Sequence, residues 1–381
     1  MRTLNDFDFE NKKTLVRCDF NVGLDAGGKI TDDFRIIKAI PTIKRLVDEK
    51  AIVVLMSHLE KKEKLVSLKA VAVRLEKLLG KKIKFIPGVV GSSVANEIKK
   101  MNPGEVALLE NLRFSKGEKA NDDTFAKELA NLGEVYVNEA FACSHRAHAS
   151  IVGIPKYLPS YAGLLLESEV DNLEKILKNP ARPFVVIVGG VKVETKIKTI
   201  LNISKTADHI LFGSKIGELI LIQKQILLGR ELATKEKLVE DIDLTSPKIH
   251  LPVDGVMALK DLSEGYLRTG AIGTLRNEEE IYDIGPETIK FFKEIIKSAK
   301  TIFFNGPMGL FESREFVLGT REILDSITKN HAAFKVAGGG ETLEAINKFK
   351  VAENFDFLST GGGAMLELLA GDKLPGVEAL R

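Results

Sequence analysis

Short apolar runs recur along the chain, each stopped by glycine or a polar cluster, and most are followed by a stretch with helical periodicity. In the second half the pattern occurs five times between Phe184 and Gly363: PFVVIVGGVKVETKIKTI, HILFGSKIGELIL, TIFFNGPMGLFES, FKVAGGGETLEAI and FDFLSTGGGAMLELL. Such runs bounded by glycine predict strands buried on both faces, as in a parallel sheet. The first half repeats the theme in TLVRCDF, AIVVLMSHL, KIKFIPG, VALLENLRF and VYVNEAF, most of them separated by helical patterns such as SLKAVAVRLEKLLG and VANEIKKM. Strand–helix alternation predicts an α/β fold of parallel sheets with helices on both faces. Between the halves, AGLLLESEVDNLEKILKNP places Leu164, Leu165, Leu173, Ile176 and Leu177 at spacings that suit an amphipathic connecting helix, closed by Pro180 and Pro183. The tail LPGVEALR, with Pro375 and Gly376, predicts an extended segment that docks elsewhere on the molecule.

Composition narrows the class. A length of 381 residues suits two domains rather than one. Hydrophobic residues make up 44%, enough for substantial cores, and no stretch of bilayer-spanning length is free of charge. The start, MRTLNDFDFENKK, lacks the basic-then-apolar order of a secretion signal. Cys18 and Cys143 do not form a disulfide-framework pattern, which suits a reducing compartment. A net charge of +2 gives no global field for nucleic acid, so any anion site must be built locally. The expectation is a soluble cytoplasmic protein acting on small molecules, with no nucleic-acid or membrane partner.

The polar residues at the predicted strand ends are the candidate chemistry. The first half offers Asp19 and Asn21 (RCDFN), Arg35 after TDD, His58 (MSHLEK), Arg113 (ENLRF) and Arg146 (SHRAHAS). In an open parallel sheet the carboxyl ends of the strands share one edge. Arginines gathered there form forks for phosphate and carboxylate. Asp19 and Asn21 also suit a simple turn cap, and His145 and His148 suit loop hydrogen bonding better than a metal site without a third ligand.

In the second half, each glycine turn lets backbone approach a ligand, and the following helix aims its free N–H groups there. Lys192 and Lys196, four apart, would share a helix face just beyond Gly189–Gly190, an arrangement that an anion between them stabilises. Asn305 and Glu312 flank the turn in NGPMGLFE, and Gly338, Gly339 and Gly340 precede Glu341 and Thr342 at a helix start. There Glu341 could cap the helix or hold Mg²⁺. No G-x-x-x-x-G-K-[ST] and no G-x-G-x-x-G occurs, so neither a Walker loop nor a dinucleotide fingerprint is present.

Together DFNV, SHRAHAS, GGVKVETK, NGPMGLFE, GGGET and STGGGAMLELLAGDKLPGVEAL resemble the phosphoglycerate kinase family, in the family's order, from about Val16 to Leu380. The resemblance implies two Rossmann-like domains with parallel sheets joined by an interdomain helix. The domains would span residues 1–162 and 181–360, with the helix at 163–180 and a segment, 361–381, returning toward the first domain. It also implies a monomer that transfers a phosphoryl group between 1,3-bisphosphoglycerate and ADP, giving 3-phosphoglycerate and ATP, with Mg²⁺ as cofactor. Asp19, Asn21, Arg35, His58, Lys61, Arg113 and Arg146 would hold the glycerate acid. Lys192 would stabilise the phosphoryl group in flight, with Arg35, Gly339 and Gly340 also catalytic. Lys196, Gly213, Asn305, Pro307, Leu310, Glu312, Gly338 to Gly340, Glu341 and Thr342 would serve the nucleotide.

That chemistry suits the residues. The leaving group is a carboxylate, so no strong general base is required, and catalysis is positioning plus charge neutralisation. Substrates on separate domains would require hinge closure that excludes water. The chain departs from the family pattern where SHLGRP becomes SHLEKKEK, placing Glu60 for glycine and Lys61 for arginine. A carboxylate beside an anionic substrate is unfavourable unless it points away. Gly23 stands for proline, Val191 for alanine and Glu341 for the metal-holding aspartate, and LFGSKI is poorer in glycine than usual. These departures leave a second reading open, a catalytically weakened homologue that only binds nucleotide or metabolite.

Overall fold

The computed structural model describes every residue except 63, 225, 228–242, 244 and 263–264. The chain divides into two compact units, Met1–Asp171 with Lys373–Arg381, and Asn172–Asp372. The first boundary falls inside the helix Leu164–Lys178.

The first unit is built on a parallel sheet of β1 (Lys13–Arg17), β2 (Ile52–Met56), β3 (Ile83–Ile86), β4 (Val106–Leu109), β5 (Val135–Asn138) and β6 (Ser160–Ala162). Its order is β6-β5-β1-β2-β4-β3. Five of these strands are the predicted apolar runs, and β6 is an addition that the short polar stretch SYA did not announce. Strands β1, β2, β4 and β5 are almost wholly buried, as expected where helices cover both faces. The core joins Val16, Val53, Leu55, Leu108 and Val137 to Ile36, Ile43, Leu46, Val71 and Leu75 from the helices Phe34–Asp48 and Lys69–Leu79. The tail, expected to be extended, instead forms a short helix, Pro375–Glu378, opened by Pro375 at its first position, and it belongs to this unit: Gly376 N–H donates to Ser144 O at 2.8 Å, and Arg2 N–H to Leu380 O at 3.2 Å.

The second unit holds the other parallel sheet: β7 (Phe184–Val188), β8 (His209–Phe212), β9 (Ile249–His250), β10 (Thr301–Asn305), β11 (Phe334–Gly338) and β12 (Phe357–Ser359), in the order β9-β8-β7-β10-β11-β12. All five glycine-terminated runs are therefore strands of one sheet. Its order reverses direction between β7 and β10, the place where open α/β sheets form a crevice. A three-stranded antiparallel sheet, Asp254–Leu259, Leu267–Ala271 and Glu279–Ile284, is attached to this unit and was not foreseen. Its strand Leu267–Ala271 alternates exposed and half-buried positions, a weaker signal than a continuous apolar run.

Candidate active site

Strand register sets the first unit's edge. Arg17 pairs with Met56 on one side and Asn138 on the other, so the chain leaves β1, β2 and β5 side by side. Asp19 and Asn21 follow β1, His58 follows β2, Arg113 follows β4 and Arg146 follows β5. Arg35 enters from the first turn of Phe34–Asp48, its Nη1 donating to Asp19 Oδ2 at 2.5 Å and to Asn21 O at 3.3 Å. Asp19 Oδ1 also accepts the Asn21 N–H at 3.1 Å, so the turn-cap role and the ion pair coexist. His58 is buried and held well below the ordinary imidazole range, first by burial and then by the charges of Arg17, Arg113, Arg146 and Arg35. The pressure of Arg35, Arg113 and Arg146 on one neutral histidine marks the convergence that the sequence predicted. Arg146 is exposed, with its Nε donating to His145 Nε2 at 3.1 Å, and Lys61 donates to Asp25 O.

Behind this edge lies a buried frame that sequence reading missed. Arg17 donates from Nε to Ser150 Oγ at 2.8 Å, and its Nη2 lies 3.9 Å from Glu118 Oε1 and 3.3 Å from His58 Nδ1. Burial, the largest single influence on Arg17, opposes its charge, but the surrounding acidic groups outweigh it. Glu118, fully buried, also accepts from the Ser150 N–H and Oγ–H at 3.0 and 2.6 Å. The available signal was a single arginine inside an apolar strand, which requires a buried partner. Ligand atoms of Asp19, His58 and Cys143 approach within 4.8 Å of one another. Arg35 on Asp19 and Arg17 on His58 make that trio an anion-facing cluster rather than a cation site.

Glu60 does not point away. It forms an ion pair with the buried Arg113 and another with Lys119 at 3.0 Å.

In the second unit, Val188 pairs with Asn305 and Phe212, and Gly338 with Ser359, so the glycine turns emerge along one edge. They are stitched together by hydrogen bonds of main chain and of the Asn305 and Thr342 side chains. Gly189 N–H donates to Asn305 O at 3.1 Å, Gly190 N–H to Pro307 O at 3.0 Å, Gly306 N–H to Thr342 Oγ1 at 2.8 Å, and Asn305 Nδ2 to Gly338 O at 2.6 Å. Only glycine permits this closeness: a Cβ on Gly189 would sit 1.9 Å from Pro307 O, and Gly339 holds φ at +103°. Gly213 begins the helix Ser214–Gln223, packed against Met308. Thr342 is buried, whereas Leu310 and Glu312 are exposed.

The two lysines correct the sequence expectation. Residues 192–196 precede the helix Ile197–Ile203, so Lys192 and Lys196 share no helix face. The long turn needed to return from the glycines displaces the helix start. Lys192 is exposed beside Val191. Lys196 is buried, its Nζ donating to Gly189 O and to Asn305 O at 3.3 Å, and burial pulls it down to about 8 against the opposing charge of Glu341. It therefore braces the two central turns from below. Glu341, half-buried in the first turn of Gly340–Lys348, points its carboxylate at the same place: a Cβ on Gly190 would come within 2.4 Å of Oε2. A hard oxygen donor beside open glycine turns fits a Mg²⁺ ion arriving with nucleotide phosphates.

Two parallel-sheet units, one edged with arginines and the other with glycine turns, define an α/β protein that handles small phosphorylated ligands. The family model described as phosphoglycerate kinase matches residues 4–372. The chain is 41% identical to a phosphoglycerate kinase of Coprothermobacter proteolyticus over 393 residues, covering 100% of this chain and 98% of that one. A relative of the same name from Orientia tsutsugamushi is 43% identical over 395 residues, covering 100% and 97%. The solved phosphoglycerate kinase of Coxiella burnetii matches with a TM-score of 0.87 and 36% identity, over 99% of this chain and 98% of that chain. That of Pyrococcus horikoshii matches with 0.86 and 32%, over 100% and 98%. The chain belongs to the phosphoglycerate kinase family, whose members are kinases that transfer phosphate to a carboxyl group. No helix among the described residues is long and apolar enough to cross a membrane.

Proposed function

We propose that the protein catalyses the reversible, Mg²⁺-dependent transfer of a phosphoryl group between 1,3-bisphosphoglycerate and ADP, as a cytoplasmic glycolytic monomer. The first unit would bind the glycerate acid through Arg35, Arg113 and Arg146, with Asp19 and Asn21 fixing Arg35. The second would bind nucleotide along the turns at Gly189–Gly190, Gly213, Asn305–Pro307 and Gly338–Gly340, with Leu310 and Glu312 beside it. The observation that carries the reading is the stitched set of glycine turns on β7, β10 and β11, whose own N–H groups hold the turns together and so set the uncapped N-terminus of the helix Gly340–Lys348 at this edge for phosphate oxygens.

Charge neutralisation is then the work of this chain's residues. Lys192, exposed at the turn, would reach the transferring group, while Lys196 holds the turns in place. Glu341 would hold Mg²⁺, which when bound offsets charge on the phosphates. Neutral His58 can hydrogen-bond an anion without adding a titrating charge near pH 7. In-line transfer requires the two substrates to meet, so hinge closure is part of the proposal.

A coupled assay tests the reaction: ADP should form only when both ATP and 3-phosphoglycerate are supplied. Turnover no higher than that of Lys192→Ala would instead support the weakened-homologue reading. Glu341→Asp should preserve or raise turnover, and an unchanged Mg²⁺ dependence would reduce Glu341 to a helix cap.

A further inference from the structure

Glu60 is held where it is by its backbone. It lies in a two-residue strand, Glu60–Lys61, paired with Lys64–Leu65, and the base of this hairpin is pinned from below. Asn111 Nδ2 donates to Leu59 O at 2.7 Å and to Val66 O at 2.8 Å, and the Glu60 N–H donates to Asn21 Oδ1 at 2.9 Å. Its carboxylate is thereby aimed at Arg113 Nη1, while its other oxygen takes Lys119 Nζ. The Arg113 side chain is 4% exposed, Glu60 23% and Lys119 58%, so the pair with Arg113 is the shielded one. Burial pushes the Glu60 carboxyl up, but Lys119 and Arg113 outweigh it and keep it below the usual range.

We propose that Glu60 is an internal counter-anion that competes with the glycerate substrate's anionic group for Arg113, and that Lys119 retains Glu60 when the substrate displaces it. The proposal rests on the reading of Arg113 as a glycerate ligand. A guanidinium with Nη1 occupied can offer phosphate or carboxylate its Nε–Nη2 edge but not its Nη1–Nη2 edge. The entering anion must outbid a carboxylate whose tether makes it effectively concentrated. A doubly charged phosphate does so more readily than a singly charged acid, so Glu60 trades affinity for discrimination in favour of phosphorylated acids. Lys119 lowers the cost of release, because Glu60 on leaving Arg113 keeps the ion pair it already makes with Lys119 rather than passing into water alone.

Calorimetric titration of the full chain with 3-phosphoglycerate and, separately, inorganic sulfate tests this, alongside steady-state KM values for 3-phosphoglycerate and ATP. Glu60→Gln should bind both anions about tenfold more tightly and lower the 3-phosphoglycerate KM while leaving the ATP KM unchanged. In an Arg113→Gln background the same substitution should have a much smaller effect, limited to relief of direct repulsion between Glu60 and the anion. Lys119→Gln should weaken anion binding, which keeps the proposal open to refutation if Glu60→Gln folds poorly. Equal anion affinity in wild type and Glu60→Gln, with turnover intact, overturns the proposal and leaves the kinase reading standing. Tighter sulfate binding by Glu60→Gln in a protein that turns over neither substrate supports the counter-anion and overturns the kinase reading.

Discussion

The carboxyl edge of the first sheet is furnished with long charged side chains, whereas that of the second is furnished mainly with main chain. Each is braced from behind by a buried cation, and the two cations differ in kind. Arg17 sits among Glu118, Ser150 and His58 and keeps its charge. Lys196 sits on the carbonyls of Gly189 and Asn305 and is pulled down to about 8 by burial, against Glu341. An edge built from guanidinium forks selects the shape of a small acid, because each fork is a separate, directional element. An edge built from packed glycine turns offers phosphate oxygens the helix N-terminus that the turns hold in place, and its precision depends on how tightly the turns are packed.

The contrast can be broken most severely at its buried frame. Glu118→Gln should lower stability by about 3–5 kcal/mol, because Arg17 would remain buried without an anionic partner. Urea denaturation measures this, and a loss below about 1 kcal/mol would show that Ser150 and His58 suffice. At the first edge, Arg35→Ala should raise the KM for 3-phosphoglycerate by about thirtyfold or more and change that for ATP little. An equal rise for both would dissolve the assignment of one ligand to each unit.

At the second edge the perturbation must be steric. Gly189→Ala places a Cβ against the Pro307 carbonyl, which cannot swing aside, and should cost about 1–3 kcal/mol while raising the ATP KM. Gly340→Ala meets nothing within 4 Å and should change thermal stability by no more than about 0.5 kcal/mol. Similar stability losses for both would mean that the second edge is not defined by packing.

The smallest effect is a pH dependence shared by the two units. Burial raises Glu139, beneath the start of Leu164–Lys178, to about 8 despite hydrogen bonds from Thr42 and Leu165, and raises Asp283 to about 7. Both folded values lie above those of an unfolded chain, so each contribution is fully present below the ordinary carboxyl range and is lost as pH rises through the folded value. Histidines lowered by burial, His58, His148 and His250, act in the opposite sense below pH 6.5, so the quantity to follow is the difference between proteins: between pH 5 and about 8 Glu139→Gln should gain on wild type by on the order of 1–2 kcal/mol. Parallel urea midpoints for wild type and variant across this range would refute the assignment to Glu139.

What was legible in the chain follows from how strongly each feature marks local sequence. Continuous apolar runs such as FVVIV and IVVLM announce buried strands because both faces must be covered, and glycine announces their ends. The arginines were legible as a group because their strand ends share an edge. Lys192 and Lys196 misled because spacing of four suggests a helix, whereas the turn out of Gly190 runs on to Lys196 before the helix starts. Glu118 and Glu139 are opaque as partners, since each reads as an ordinary surface acid until the fold brings a distant group to it, Arg17 from 101 positions away in the case of Glu118, whereas Glu60 stands out in the sequence and only its partners, Arg113 and Lys119, do not.

The tail at Lys373–Arg381 has a consequence for the order in which the molecule can be made. Its Gly376 lies against Ser144, and Leu380 takes the N–H of Arg2. The first unit, though begun first on the ribosome, thus lacks part of its structure until the whole of the second has been translated. The unit that contains the earlier part of the chain therefore draws its last contacts from residues that follow the other unit.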